Sequence, residues 1–506
     1  MAQSNQGPVL LQDIVRTQAE RAPSSPALWW DGNSTTYAEL WARIEQLAAR
    51  IAACGEPGAR IAVLAWNCPE FIDLIYAVPT AARVLVPLNA RLAPAELLYQ
   101  LQHSGATLLF ADAQLLRPLA DHVDFPHDLH TVTLNDDYAA WLQSAPGRTP
   151  PATSSEDPAW ILFTSGSTGR PKGAVLTHRS FMAGLDSAEL GRPVKASDRY
   201  YYPFPLFHVA AHNVLLQHRH GASVVLARAF DAAGTLAALR EVGVTTLSLA
   251  PTMIAMLLDH PDFRTADLAG VRTIGYGASA MPVGLLRQLQ SLSDVGLCQS
   301  YGMTELSGSV AFLTVEDHRR AAAGEERLLA CVGKPLPTAT VRLANDNGQP
   351  AGAGECGEIL VRAEQVMAGY WCDAAATEDA LRGGWLHTGD VGRFDEEGNL
   401  FIVDRKKDMI VSGGENVASR EVEEVLRQHG AVKDCAVVGL PDNRWGEQVC
   451  AVVVERESVT EHELEQHCRA QLAGYKLPRR WFRLDALPLN ASGKVDKPAL
   501  RRRYTS

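Results

Sequence analysis

The sequence of 506 residues lacks the features that would place it in a membrane, in an oxidising compartment or on nucleic acid. Its nine cysteines are odd in number and show no C-x-x-C spacing, as expected for reduced thiols. No basic segment followed by an apolar run opens the chain, and Asp73, Pro79 and Arg83 interrupt the longest apolar region, 71–88. The net charge of -11 argues against a general nucleic-acid or membrane binder. We therefore expect a cytoplasmic enzyme with no integral membrane segment and no nucleic-acid partner.

Length and patterning indicate a large α/β domain. With 46% hydrophobic content over 506 residues, the chain exceeds the size at which one core keeps growing, so at least two packed units are expected. Thr36 and Glu39 form a capping box ahead of apolar residues at helical spacing, with Gly55 as a stop. The patterns also predict helices near 71–76 and 94–102 and strands at 60–64, 83–87, 107–111, 222–226, 245–249 and 271–275. This alternation is typical of several subdomains with parallel-rich sheets flanked by helices.

The pattern changes beyond Gly392. A turn at 395–399 precedes a strand at 400–403 and the charged junction 405–408. Strands at 435–438 and 449–454 follow, and then a helix capped by Thr460 and Glu463. We therefore predict an N-terminal domain, 1–403, and a small C-terminal α+β domain, 404–506, of ordinary domain size.

The most informative segment is the loop Thr-Ser-Gly-Ser-Thr-Gly-Arg-Pro-Lys-Gly at 164–173. Glycines let backbone N–H groups approach a ligand, hydroxyls add donors, and Lys172 adds a mobile positive charge. The loop is not a Walker A motif, because Lys172 is followed by Gly173 rather than by Ser or Thr. By itself the composition also suits a flexible surface loop, so the pattern favours a polyphosphate site without proving one.

Further motifs identify a resemblance. They are Tyr-Gly-Ala-Ser at 276–279, Tyr-Gly-Met-Thr-Glu at 301–305, Thr-Gly-Asp at 388–390, Asp-Arg-Lys-Lys-Asp at 404–408 and Asn-Ala-Ser-Gly-Lys at 490–494. With the glycine-rich loop, they resemble the adenylate-forming (AMP-binding) superfamily of acyl-CoA synthetases, luciferases and peptide-synthetase adenylation domains. The likeness spans nearly the whole chain, and the wording at 409–416 and 475–478 is most similar to fatty-acyl and aryl-acid CoA ligases.

The resemblance implies a two-step ligase that uses ATP, Mg²⁺ and CoA. A carboxylate first joins AMP with release of pyrophosphate, and a thiol then displaces AMP. Because the carboxylate and the polyphosphate have like charges, cations and N–H donors are needed around the phosphate oxygens. The absence of a carrier domain after the C-terminal domain favours CoA as acceptor. For the oligomeric state of this chain, a homodimer stays open.

The resemblance also implies phosphate and metal ligands. Glu305 would bind Mg²⁺, and the Thr304 hydroxyl would lie near the α-phosphate. Without the resemblance, a Thr-Glu pair is more often a surface carboxylate or a helix cap. The β- and γ-phosphates would be held by Thr164, Ser165, Gly166, Ser167, Thr168, Gly169 and Lys172.

The nucleoside ligands are implied in the same way. Tyr301, followed by Gly302, would stack on adenine; the alternative is an ordinary core tyrosine. Asp390 and Arg405 would contact the ribose, against the alternatives of a turn aspartate and a solvated charge run. The opposite side of the adenine would be formed by the backbone of Gly277, Ala278 and Ser279.

The C-terminal domain would supply the residue that reacts and then leaves. In the family, the lysine that matches Lys494 reaches the carboxylate and the α-phosphate during adenylation. Rotation about a hinge matching Lys407 then removes it and brings Gly414 beside the pantetheine arm. A lysine in a loop is otherwise usually just solvated.

The segment around His208 is the part of the sequence that bears on the acid. His208 matches the family's gate of the acyl cavity, and the small residues Ala210 and Ala211 leave room for a bulky or long group. His208 and His212 lack the Glu of an H-E-x-x-H zinc motif. One methylene shifts discrimination by only about 1 to 3 kcal/mol, so the sequence does not fix the chain length of the acid. We expect a medium- or long-chain fatty acid, with an aryl or hydroxycinnamic acid as the alternative.

One departure and two rival functions stay open. The family usually has Tyr-Pro where this chain has Ala418-Ser419, and this difference falls in the loop on the CoA side. A catalytically idle nucleotide-binding protein of the same fold is one rival, although the presence of Lys172, Glu305 and Lys494 argues against it. An oxygen-dependent luciferase is the other, and nothing in the sequence supports it.

Overall fold

The computed structural model of the protein describes residues 9–505 except 127, 135–136, 145, 165–169, 278–280, 346, 353, 413–414, 443 and 491–492. The described chain forms two compact units. The first contains the residues up to Val341 together with Val361–Leu386, and the second contains Arg342–Leu360 and the residues from His387 onward. The predicted domain boundary between residues 403 and 404 marks an expected hinge rather than a limit of these compact units, and it stays a prediction.

Two parallel-rich sheets form the first unit, which confirms the predicted α/β class. In spatial order, the larger sheet consists of Lys334–Pro335, Gly308–Leu313, Gly296–Met303, Thr273–Gly277, Thr246–Ser248, Arg199–Tyr202, Ser223–Leu226, Pro26–Trp30 and Asn33–Thr36. The other consists of Gly369–Tyr370, Lys172–Thr177, Pro158–Thr164, Val84–Pro87, Arg60–Leu64, Ala106–Ala111 and His130–Thr133. Antiparallel pairs occur only toward the edges of these sheets within the described residues.

Helices cover these sheets. They are Leu11–Arg21, Tyr37–Ala52, Pro69–Thr80, Pro94–Ser104, Ala113–Ala120, Tyr138–Gln143, His178–Gly191, His212–Arg219, Ala232–Ala237, Pro251–Leu258, Val283–Leu292, Val315–Ala322 and Ala374–Ala380. The predicted capping box is confirmed: the Thr36 hydroxyl accepts from the Glu39 amide at 3.2 Å, and Glu39 accepts from the Thr36 amide at 2.8 Å. Four apolar residues of that helix, Leu40, Ile44, Leu47 and Ile51, are fully buried. Burial of each contributes roughly 1.5–3 kcal/mol.

The second unit contains two sheets. One consists of Ala339–Ala344, Gly357–Ala363, Leu386–Phe394 and Leu400–Arg405, lying largely in this unit; the other consists of Glu415–Val417, Ile410–Ser412, Gly446–Glu455 and Val432–Asp442, with Arg480–Arg483 added beside Gly446–Glu455. Its helices are Ser419–Arg427, Glu461–Arg469 and Lys497–Tyr504.

The hairpin of the second unit is longer than its sequence pattern indicates. The strand predicted at 435–438 runs from Val432 to Asp442, because ladder pairing with Gly446–Glu455 continues beyond the apolar core. Alternate residues of the hairpin face two separate clusters of buried side chains, for example Val437 in one and Val438 in the other. Both clusters consist of residues between 410 and 504.

None of the helices in the described ranges is both long and apolar enough to cross a membrane.

Candidate active site

An antiparallel hairpin holds the two ends of the glycine-rich loop. Pro158–Thr164 pairs with Lys172–Thr177, and Thr164 lies opposite Lys172 at the end of the ladder. The predicted loop residues Ser165, Gly166, Ser167, Thr168 and Gly169 lie outside the described residues. The hairpin therefore places the described ends of the predicted phosphate loop side by side.

Contacts from the helix Pro94–Ser104 support the far end of this loop. The Tyr99 hydroxyl donates to the carbonyl of Pro171 at 3.2 Å. The guanidinium of Arg170 lies 5.9 Å from the Tyr99 ring centroid, and His103 stacks on the same ring at 5.4 Å. Because Lys172 directly follows Pro171 in sequence, these contacts also help to fix the position of the Lys172 backbone.

Glu305 lies in the short 3₁₀ helix Thr304–Leu306, which follows the strand Gly296–Met303. The residue is only 6% exposed. Its Oε1 accepts hydrogen bonds from the hydroxyls of Thr164 at 3.2 Å and Tyr370 at 3.0 Å. Among the described residues, no lysine, arginine or histidine forms an ion pair with it. The structure thus brings Thr164 and Glu305 together, as a shared phosphate and metal site requires.

This carboxylate suits a hard divalent cation. Buried carboxylates are usually compensated by a positive charge, but the described partners of Glu305 are neutral hydroxyls. No group of three or more metal-ligating side chains lies together in the described part of the chain. A magnesium ion held by Glu305 would therefore take its other ligands from water and phosphate oxygens, as Mg²⁺ commonly does.

Tyr370 is a site residue that the sequence patterns did not identify. Its short strand, Gly369–Tyr370, pairs with the hairpin strand Lys172–Thr177. The Lys172 ammonium lies 5.3 Å from the Tyr370 ring centroid, while the hydroxyl donates to Glu305. Burial, and then the nearby Glu305 carboxylate, raises the pKa of Tyr370 above its usual value, so the hydroxyl stays a neutral donor. A tyrosine after a glycine is too common a pattern to predict this role.

The predicted adenine residues lie at the ends of neighbouring strands. Gly277 is in register with Ser300, and a Cβ at Gly277 would lie 3.3 Å from the Ser300 carbonyl oxygen. Tyr301 is half-buried rather than enclosed in the core. A Cβ at Gly302 would lie 1.9 Å from the Gly308 carbonyl oxygen, so this backbone requires glycine. Ala278 and Ser279 lie outside the described residues.

The histidine segment lies near the turn after Glu305. His208 is half-buried and packs edge to face against Phe207, with 4.8 Å between ring centroids. His212 is 6% exposed and its Nδ1 bonds to the carbonyl of Val209 at 2.9 Å. A Cβ at Gly308 would lie 3.5 Å from the His212 ring, so the histidine segment and the turn after Glu305 are adjacent. Burial lowers the pKa of His212, which favours a neutral ring.

In the second unit, Asp390 and Arg405 lie opposite each other on adjacent antiparallel strands. Asp390 is 3% exposed, and its Oδ1 lies 2.7 Å from Arg405 Nε. The Arg405 side chain is 43% exposed. The two predicted ribose ligands therefore form a pair in which the carboxylate is buried and the cation reaches solvent.

Lys494 lies in a tight loop of the same unit. Its amide donates to Asn490 Oδ1 at 3.0 Å, and its carbonyl accepts from the Asn490 amide at 2.7 Å. Although the residue is exposed, loss of hydration and then the charge of Arg405 lower the pKa of the ammonium, with Lys407 acting in the same direction and Asp390 opposing. The second unit thus groups Lys494 electrostatically with Asp390 and Arg405. Lys407 is exposed, and Gly414 lies outside the described residues.

Known proteins are similar to this chain over most of its length. The family model for the AMP-binding enzyme matches residues 15–371, and that for the AMP-binding enzyme C-terminal domain matches 421–494. A feruloyl-CoA synthase of Amycolatopsis sp. is 37% identical over 96% of this chain and 97% of its own. A long-chain-fatty-acid–CoA ligase of Mycobacterium tuberculosis is 33% identical over 93% of each chain.

A solved structure is also similar over nearly the whole chain. The o-succinylbenzoate coenzyme A synthetase of Bacillus subtilis, in complex with ATP and magnesium ion, matches with a TM-score of 0.86 and 30% identity. The match covers 96% of this chain and 98% of that one.

Proposed function

Because the chain belongs to the AMP-binding enzyme family, we propose that it is an AMP-forming acid–CoA ligase that uses ATP and CoA. The observation that carries this proposal is the buried Glu305 carboxylate with its neutral hydroxyl partners. One of them, Tyr370, donates to Glu305 and also contacts the Lys172 ammonium through its ring. A nucleoside triphosphate needs this arrangement, in which a carboxylate that holds a divalent cation lies near a lysine at the end of a phosphate loop.

The first step joins the acid to AMP. A carboxylate oxygen of the acid attacks the α-phosphorus of ATP, and the bond to pyrophosphate breaks. Lys172 and the loop donors hold the departing phosphates, while Lys494 orients the carboxylate and stabilises charge on the α-phosphate oxygens. When bound at Glu305, Mg²⁺ would neutralise charge on the phosphates, and the Thr304 hydroxyl would lie near the α-phosphate.

The nucleoside is held by the remaining residues. Asp390 accepts hydrogen bonds from the ribose hydroxyls, with Arg405 as a further contact. Tyr301 stacks on the adenine opposite the backbone that includes Gly277, Ala278 and Ser279. Gly302 lets the end of the Tyr301 strand approach the backbone of Gly308 closely.

The second step transfers the acyl group. The CoA sulfur attacks the acyl carbon, the thiol proton passes to solvent, and the bond between the acyl carbon and the AMP oxygen breaks, which releases AMP. We place a hinge at Lys407, and the part of the C-terminal domain that follows Lys407 moves about it, so that Lys494 withdraws and Gly414 faces the thiol arm. His208 would open and close the acyl cavity.

For the acid, we propose an aryl or hydroxycinnamic acid first and a medium- or long-chain fatty acid second. Relatives named for feruloyl-CoA and for long-chain fatty acids are 37% and 33% identical, so sequence similarity alone separates these classes weakly. His212 is buried beside Gly308. We infer that it faces the predicted acyl cavity, where a polar side chain suits an oxygenated ring better than a saturated chain.

A panel of carboxylic acids, assayed for AMP release with and without CoA, tests the proposal. We expect AMP release that depends on the acid and increases with CoA, with ferulate or a close aryl acid above palmitate. Acid-dependent pyrophosphate exchange without any effect of CoA would overturn the choice of acceptor. No exchange with any acid would favour an idle nucleotide-binding protein.

A further inference from the structure

A buried polar network in the second unit joins the end of one strand to the first residues of two helices. Both the amide and the hydroxyl of Ser419 donate to Asp404 Oδ2, each at 2.6 Å. The Lys497 ammonium donates to the Ser419 hydroxyl oxygen at 2.5 Å and pairs with Glu423 Oε1 at 2.7 Å. Glu423 also accepts from the Val437 amide at 2.8 Å. We call Asp404, Ser419 and Lys497 the latch.

The latch is shielded from water. Asp404 is 6% exposed, Ser419 is fully buried, and the Lys497 side chain is 14% exposed. Hydrogen bonds to ionised groups are stronger than neutral ones, and low exposure reduces screening by solvent. Each contact of the latch is therefore expected to resist opening more than a surface ion pair does.

The latch spans the proposed hinge. Asp404 precedes Lys407, whereas Ser419 and Lys497 follow it. Lys497 also begins the helix Lys497–Tyr504, three residues after Lys494. While the latch is closed, its contacts connect the Lys494 loop to the strand that ends in Arg405. Arg405 is itself one of the two predicted ribose ligands.

We propose that the latch holds the chain across the hinge in the arrangement used for adenylation and that it opens before thioester formation. Ser419 and Lys497 are thus positioning residues for Lys494 rather than catalytic residues. The inference rests on the proposed two-step function and on the hinge at Lys407.

Ser419→Pro is the sharpest test because of where the serine lies. Ser419 is the first residue of the helix Ser419–Arg427, a position where proline suits helix geometry. The substitution removes both donors to Asp404 and leaves the helix pattern unchanged. Ser419→Ala removes only the hydroxyl, and Lys497→Met removes the ammonium.

Limited trypsin digestion of the full chain measures the latch independently of activity, because Arg405, Lys406 and Lys407 are exposed cleavage sites at the hinge. We expect Ser419→Pro to increase cleavage at these sites about tenfold, as the loss of two bonds to a charged group predicts, and Ser419→Ala to increase it less. Pyrophosphate exchange should fall about tenfold, while thioester formation from supplied acyl-adenylate is kept. Arg483→Met is the matched control, since it breaks a 2.5 Å pair with Glu455 that lies wholly beyond the hinge.

Two results would overturn the latch: wild-type cleavage at 405–407 in Ser419→Pro, or an equal loss of both half-reactions. If Ser419→Pro does not fold, Ser419→Ala and Lys497→Met decide by the same measurements. A wild-type protein that adenylates no acid would overturn the proposed function, while the digestion would still report whether the network restrains the hinge segment.

Discussion

Glu305 and Asp390 are two carboxylates that are almost equally buried but differently compensated. Glu305 accepts hydrogen bonds from two hydroxyls, and no cation pairs with it among the described residues. Asp390 faces the guanidinium of Arg405 at 2.7 Å. Burial alone therefore does not distinguish them; the charge beside each carboxylate does.

The difference indicates what each carboxylate can bind. An uncompensated carboxylate attracts a cation, so Glu305 suits Mg²⁺. A carboxylate already neutralised by arginine keeps lone pairs for neutral donors, so Asp390 suits sugar hydroxyls. In the proposed function, a buried carboxylate would thus bind metal in one unit and nucleoside in the other.

Glu305→Gln should have the largest effect, because it removes the charge that holds the metal while keeping the shape of the side chain. We expect acid-dependent pyrophosphate exchange to fall roughly 10³-fold, the scale of a lost charge-stabilising group. An unchanged melting temperature controls for folding. Exchange near the wild-type rate, with the same dependence on Mg²⁺ concentration, would contradict the assignment of Glu305.

Lys494→Ala tests whether the second unit supplies the adenylation lysine. Pyrophosphate exchange should fall about 10²- to 10³-fold, because one donor to the developing phosphate charge is lost. Thioester formation from supplied acyl-adenylate should persist. An equal fall in both half-reactions of a folded variant would show that Lys494 has another role.

Asp390→Asn tests the nucleoside side of the comparison. The apparent KM for ATP should rise about 10- to 100-fold, as expected when hydrogen bonds to a charged acceptor worth about 1.5–3 kcal/mol are weakened. Wild-type enzyme should prefer ATP to 2′-deoxy-ATP, and the variant should lose most of that preference. A variant that still discriminates between the two nucleotides would remove Asp390 from the ribose site.

Tyr370→Phe should have the smallest effect, about three- to tenfold on pyrophosphate exchange, since it deletes one hydroxyl donor to Glu305. Raising the Mg²⁺ concentration should restore part of the rate. Tyr99→Phe is the control, because its hydroxyl donates to the neutral Pro171 carbonyl and its loss should cost less. An equal response of both variants to Mg²⁺ would show that Tyr370 acts only as a packing residue.

Local patterns predicted the fold better than they predicted the site. The capping box at Thr36 depends on residues three positions apart, and the strand at 60–64 has the predicted ends. By contrast, Tyr370 contacts Glu305 across 65 residues of sequence, and Ser419 contacts Asp404 across 15. No local pattern encodes such a contact, because strand order and helix packing bring the partners together. Motifs nevertheless named four candidate residues that contact each other in pairs. Thr164 contacts Glu305, and Asp390 contacts Arg405.

The two-sided hairpin of the second unit has a consequence for how such an enzyme can diversify. Because both of its buried clusters consist of residues 410–504, substitutions that reshape an acid pocket elsewhere leave this core unaltered. Selection can then change the choice of acid while the module that contains Lys494 is inherited unchanged. Exchange of that module between relatives by recombination would transfer its packing as well.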